Sequence, residues 1–155
     1  MALSIRLAES ADVEVLAAFN AAMALETEHL ALDGERLRAG VAAVVADPAK
    51  GFYLVAEEEG AVVGQLLITY EWSDWRNGVF WWVQSVYVRP ESRGRGVYST
   101  LYEDAVRRAR EAGDVCGLRL YVERENHRAQ RTYQKLGMRP TVYEMYETDF
   151  VLSRD

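Results

Sequence analysis

The feature that most constrains the fold is a glycine-bearing turn set between a strand and a strongly periodic helix. Val79 to Val88 reads as the strand, Pro90 follows it, and Arg93-Gly94-Arg95-Gly96 makes the turn. Directly beyond, Tyr98, Leu101, Tyr102, Ala105, Val106 and Ala109 stand at i, i+3, i+4, i+7, i+8 and i+11, the apolar stripe of a helix. Gly113 ends it. A strand that feeds such a helix is the building unit of an α/β sheet.

The remaining elements follow from the same periodicities. Leu3 to Leu7 alternates as a first strand. Ser10 is the expected cap of a helix reaching about Thr27, with Asp12 and Glu14 in its first turn and Val13, Leu16, Ala17 and Met23 along its stripe. Asp33 opens a second helix whose apolar side is Leu37, Val41, Val44 and Val45, and Asp47-Pro48 ends it. Phe52 to Val55 and Val62 to Tyr70 are strands around the turn Glu59-Gly60. Asn77-Gly78 signals a two-residue type I′ hairpin. Gly117 to Val122 is a further strand, with Leu118, Leu120 and Val122 on one face. Asn126 caps a helix carrying Ala129, Tyr133 and Leu136, stopped by Gly137. Val142 to Val151 is expected to complete the sheet, as one strand or two. The expectation is an α/β fold: a mixed sheet of about six or seven strands flanked by about four helices, in a single domain spanning 1–155.

Composition excludes several classes. With 155 residues, 50% of them hydrophobic and only three prolines, the chain can bury a full core and is not dominated by disorder. The single cysteine, Cys116, excludes a disulfide scaffold. Because Cys116 opens a strand, it reads as a buried thiol. No apolar run approaches the ~20 residues of a membrane span, and no basic segment leads into an apolar stretch at the N-terminus. A soluble, cytoplasmic protein is the expectation. The net charge of −6, from 24 acids and 18 bases, argues against nucleic acid as a partner and favours cationic ones. His29 and His127 have no ligand spacing, so no metal is expected.

The glycine loop has two readings on its own. Gly94 and Gly96 let a ligand approach the backbone, the unpaired N–H groups of the following helix attract an anion, and Arg93 and Arg95 add charge. Equally, the segment is a tight turn with two surface arginines. No Lys-Ser/Thr pair follows the glycines, which speaks against a P-loop. A dinucleotide site does not fit a loop that follows a mid-chain hairpin.

The run Val86-Tyr87-Val88-Arg89-Pro90-Glu91-Ser92-Arg93-Gly94-Arg95-Gly96-Val97-Tyr98 resembles the acetyl-CoA motif of the GNAT superfamily of N-acetyltransferases. That motif is Arg/Gln-x-x-Gly-x-Gly/Ala after a strand ending near proline. Arg93 and Gly96 match it, and Tyr98 stands where glycine or alanine is usual. A second family motif is carried by Asn126, Ala129, Tyr133 and Gly137. The stretch Tyr70 to Gly96 is most similar to the diamine (spermidine/spermine type) branch. The resemblance implies an acyl-CoA N-acyltransferase fold with acetyl-CoA as co-substrate. It implies acetyl transfer to a primary amine of a small molecule by direct attack in a ternary complex, and a homodimer. A protein amine as acceptor, and a non-catalytic acyl-CoA sensor, stay open as alternatives.

Site roles follow from the resemblance. Val86, Tyr87 and Val88 would offer backbone groups to the pantetheine arm, one of them polarising the thioester carbonyl. The amides of Gly94, Arg95, Gly96, Val97, Tyr98 and Ser99, with Arg93, would hold the pyrophosphate. Asn126 would bond the arm, and Tyr133, two helical turns on and ~10 Å away, would protonate the departing thiolate. In the diamine branch a glutamate on the strand before the loop is the implicated base, and the position here is Gln84. If Asn77-Gly78 form the hairpin turn, Arg76 faces Val79, Trp75 faces Phe80 and Glu71 faces Gln84. Glu71 is then the expected proton acceptor or ammonium partner, unless a bulge moves the register. Glu26 and Glu28, near the junction of the first two helices, either line the acceptor pocket or are simply solvated. Trp72, Trp75, Trp81 and Trp82 either pack the hairpin or wall that pocket.

Overall fold

Alternating side chains sort the buried residues of the sheet onto two faces. The strands are β1 (Leu3–Leu7), β2 (Phe52–Glu58), β3 (Ala61–Ser73), β4 (Gly78–Val88) and β5 (Val115–Arg119). They lie in the order β1-β2-β3-β4-β5, antiparallel throughout except for the parallel β4–β5 pair. The helices are α1 (Val13–Glu28), α2 (Gly34–Ala46), α3 (Val97–Ala112) and α4 (His127–Lys135). On one face Leu54, Ala56, Leu66, Ile68, Trp81 and Val83 pack against Val97, Leu101, Ala105 and Ala109 of α3. On the other, Tyr53, Val55, Leu67 and Tyr87 pack against Val13, Leu16 and Phe19 of α1 and Val41 of α2. Because β2 and β3 are covered on both sides, they read as near-continuous apolar runs.

The computed structural model describes residues 2–152. The chain up to Tyr121 forms one compact unit, and the chain from Val122 a second. Among the described residues no helix is long and apolar enough to cross a membrane.

Most expected elements are present, with four corrections. Ser10 does not cap α1. It begins a single 3-10 turn, Ser10–Asp12, and the Asp12 carboxylate accepts from the Glu9 amide at 2.7 Å. Asp12 is also held by Arg6 at 2.8 Å, which ties the start of α1 to β1. The Asn77-Gly78 pair is not a two-residue turn. Ser73 pairs with Gly78, leaving Asp74 to Asn77 as a four-residue loop in which Asn77 alone of the pair is left-handed. Gly78 is instead a strand residue at a close approach: a Cβ there would sit 3.0 Å from the Asp114 carbonyl oxygen and 3.1 Å from Cys116 Cβ.

Cys116 is exposed. Val115 and Leu118 of the same strand pack against the α3-side core, and the β4–β5 pairing skips Cys116, passing from Val79–Val115 to Phe80–Gly117. Finally, Val142 to Val151 forms no strand among the described residues, so the sheet has five strands rather than six or seven. The segment is rich in β-favouring side chains, but propensity acts through a pleated, half-buried surface. Here Val142, Tyr146 and Phe150 are over 90% exposed. The amides are taken locally: Tyr143 N–H donates to Thr141 Oγ1, and Val151 and Leu152 N–H donate to Asp149 Oδ1. Such local bonds compete with a sheet ladder.

Two measurements check this account. Leu66, fully buried between β2, β4 and α3, should lose about 2–5 kcal/mol of unfolding free energy as Leu66→Ala, read by chemical denaturation. Leu25→Ala, 59% exposed, should stay within about 0.5 kcal/mol of the parent. Arg6 holds the Asp12 carboxyl below its usual range. The folded state therefore binds that proton less readily than the unfolded chain. Its stabilisation is complete above the unfolded value of about 3.9 and fades as pH falls through the folded one. The stability gap between the parent and Asp12→Asn should accordingly narrow on acidification.

Candidate functional site

β4 carries the site because its pairing changes part-way along. Gln84 pairs with Leu67, but Tyr87 pairs with Gln65. Ser85 and Val86 thus stand opposite Leu66 alone, which makes a β-bulge. Ser85 takes a left-handed conformation, φ 49°. The extra residue resets the alternation. Val83 faces α3 before it, and Val86 and Val88 face α3 after it, while Tyr87 turns to the α1 side. The parallel pairing with β5 ends at Trp82–Arg119. From Val83 to Val88, β4 has no strand on that edge among the described residues, which leaves backbone groups for another partner.

The strand then turns through Pro90–Ser92 into the glycine loop. Gly94 and Gly96 are both left-handed, φ 78° and 79°, and a Cβ at either would meet nothing within 4 Å. The constraint is conformational, not steric crowding from neighbours. Gly96 is the N-cap of α3 and, as glycine, offers that helix no side-chain cap. Tyr98, which departs from the motif, packs its ring against the α3-side core, 6.1 Å from Tyr102. Its bulk is thereby directed into the core and not across those amides. These features fit a diphosphate: two left-handed glycines, a helix start and flanking arginines.

Both loop arginines are already paired. Arg93 Nη2 lies 3.0 Å from Glu26 Oε2, its Nε donates to the Val88 carbonyl at 2.8 Å, and its guanidinium lies over the Tyr87 ring. Tyr87 Oη donates to the other oxygen of Glu26 at 3.2 Å. Burial first, and then Glu26, raises the Tyr87 hydroxyl above its ordinary value. Arg95 pairs with Glu58 at 3.1 Å. The structure thus brings Glu26, Tyr87, Arg93 and the glycine loop together. Glu28, two residues beyond Glu26, ends α1 as an exposed side chain on a different side of the helix.

The expected pairing of Glu71 with Gln84 is overturned. The four-residue loop shifts the register, so Glu71 faces Phe80, with Gln84 four residues and about 13 Å further along β4. Glu71 Oε1 instead accepts from Trp82 Nε1 at 2.8 Å and Arg119 Nη1 at 3.0 Å. The Arg119 guanidinium stacks on Phe80 at 3.6 Å. The tryptophans divide accordingly. Trp81 is buried and its ring meets those of Phe52 and Tyr70, Trp82 holds Glu71, and Trp72 and Trp75 are exposed.

Asn126 and Tyr133 belong to the second unit, Asn126 as the N-cap of α4 and Tyr133 within that helix. Asn126 Oδ1 caps the helix by accepting from the Ala129 amide at 3.2 Å. Tyr133 is half-buried, and that burial raises its hydroxyl above the ordinary 10.0. It stays protonated at neutral pH, as a proton donor must.

The sequence pattern of the acetyltransferase (GNAT) family matches residues 17–138. The chain belongs to that family. A crystal structure of a possible acetyltransferase from Clostridium difficile 630 is 41% identical, with TM-score 0.90, covering 98% of this chain and 100% of that one. A Bacillus subtilis (strain 168) protein with the provisional name ribosomal protein bS18-alanine N-acetyltransferase is 34% identical over 98 residues. That match spans 63% of this chain and 60% of the relative's length. A predicted acetyltransferase from Clostridium acetobutylicum, solved with acetyl-CoA, shares the fold at 19% identity and TM-score 0.77, covering 99% of this chain and 100% of that one. Among the described residues no group of three or more His, Cys, Asp or Glu could hold a metal ion.

The GNAT glycine loop makes a prediction of sign. Gly96→Ala forces an L side chain into the left-handed region and should destabilise the fold by about 1–2 kcal/mol. Gly40→Ala, in an open position inside α2, should stabilise it by about 0.5–1 kcal/mol. Thermal denaturation of the two variants side by side checks both signs.

Proposed function

We propose that this GNAT protein transfers the acetyl group of acetyl-CoA to a primary amine. The observation that carries the reading is the pair of left-handed glycines leading into α3, following an edge of β4 that no strand pairs among the described residues. Acetyl-CoA would supply an activated thioester. Val86 to Val88 would align its arm along the open strand edge. The amides from Gly94 to Ser99 would receive the pyrophosphate, with Arg93 and Arg95 exchanging their carboxylate partners for phosphate. Those ion pairs are partly exposed, so breaking them costs little. Asn126 would bond the arm. The neutral amine would attack the thioester carbonyl, Tyr133 would give its proton to the leaving thiolate, and the proton lost by the attacking nitrogen would pass through solvent and restore the Tyr133 hydroxyl. Holding amine and thioester together supplies the main acceleration. The reading includes the whole chain acting as one domain and as a homodimer.

For the acceptor, the α-amine of a protein N-terminus is the first reading, supported by the name of the Bacillus subtilis relative. A small diamine is the second, supported by the hairpin similarity and by the carboxylate of Glu26 beside Tyr87. A panel containing an alanine-initiated peptide, its N-blocked form and spermidine separates them by CoA release. Turnover of the free peptide alone selects the first reading, and turnover of spermidine alone the second. No turnover of any amine despite CoA binding would turn the assignment to a sensor. Tyr133→Phe should lower kcat by about 10²–10⁴ with acetyl-CoA affinity unchanged. Because the folded Tyr133 hydroxyl titrates above 10.0, the parent's rate should fall on the alkaline side and that limb should vanish in the variant, while the acidic fall that comes from protonating the attacking amine should persist in both.

A further inference from the structure

Ser85 is an expensive residue to place. It is left-handed without being glycine, and the bulge takes its carbonyl out of the ladder between β3 and β4. The structure answers both demands with one set of buried amides. Gln65 is fully buried, and Asn20 and Tyr53 are 4% exposed. Gln65 Nε2 donates to the Ser85 carbonyl at 2.8 Å and to Asn20 Oδ1 at 2.8 Å. Asn20 Nδ2 donates to Tyr53 Oη at 3.1 Å. The Ser85 side chain lies on the Tyr53 hydroxyl and favours its ionised form, partly offsetting the effect of burial.

The directions in this ring are not interchangeable. A carbonyl only accepts, so Gln65 must present its nitrogen to Ser85. The other proton of that nitrogen then fixes Asn20 with its oxygen towards Gln65, and its nitrogen towards Tyr53. Tyr53 accepts there. The ring therefore begins and ends on the bulged residue, gripping its main chain through Gln65 and facing its side chain with Tyr53. It is not built for stability alone. Gln65 Oε1 is buried with no hydrogen-bond partner, which is unfavourable for a group so placed. An apolar residue would fill the same position without that burden.

We propose that Asn20, Tyr53 and Gln65 are positioning residues for acetyl-CoA: by clamping Ser85 they hold the bulge that sets how Val86 to Val88 present their backbone to the arm. The proposal rests on the acetyl-CoA reading above. None of the three residues need touch the ligand, so their substitution should act on binding geometry without removing a binding group.

The test compares Tyr53→Phe and Gln65→Leu with Val55→Ala, a buried neighbour in the same core outside the ring. Amide hydrogen exchange is followed in the unliganded proteins, and CoA affinity by calorimetry. Tyr53→Phe should speed exchange at residues 84–88 selectively. It should weaken CoA binding by about ten- to a hundredfold and raise the KM for acetyl-CoA with the acceptor KM unchanged. Val55→Ala should lower stability without either effect. If Tyr53→Phe matches Val55→Ala in exchange and affinity, the ring is only core filling and the proposal falls. Gln65→Leu carries the same expectation, and Tyr53→Phe keeps the test decisive if Gln65→Leu does not fold. Failure of the parent to bind CoA would overturn the acetyl-CoA reading and the positioning role together. Selective exchange at 84–88 would then still show whether the ring holds the bulge.

Discussion

The arrangement at the end of β4 depends on one extra residue in one strand. Without the Ser85 bulge, the alternation established by Trp81 and Val83 would continue, and Tyr87 would point into the α3 side. Its contacts with Phe19, Glu26 and Arg93 would then be lost. The glycine loop is tethered through Arg93 to Val88 and Glu26, so its position also descends from that residue. A bulge is a local irregularity that redirects everything after it.

Much of the scaffold was legible because it is periodic. The stripe from Tyr98 to Ala109 gave α3 with its glycine ends, and Asp33 and Asn126 were readable as caps, both of which accept amide bonds as expected. The glycine loop was legible in composition, since only glycine suits two left-handed positions so close together. The hairpin was not. Asn-Gly is a strong turn signal, but Gly78 was required for close packing against β5. That use is invisible without the tertiary partner. One misplaced turn then displaced the inferred partner of Glu71 by four residues.

The ring around Ser85 left a fainter trace. Gln65 interrupts the apolar run from Val62 to Ile68, and Asn20 interrupts the apolar side of α1. A lone amide in a strand buried on both faces needs specific partners, and that question, put to Gln65, would have pointed towards an irregular backbone nearby. The C-terminal segment shows the converse. Its side chains favour strand, but its amides are used by Thr141 and Asp149, and no single-residue preference encodes that competition.

The pairing of both loop arginines has a kinetic consequence. Glu26 and Glu58 cancel Arg93 and Arg95 at short range, and the chain as a whole carries a net charge of −6. A polyanion that comes within about one Debye length therefore meets a repulsive field, and meets attraction only after it has reached the loop and displaced the carboxylates. Added salt would screen that outer repulsion. Encounter would then quicken as ionic strength rises, the reverse of the behaviour of an openly basic anion site.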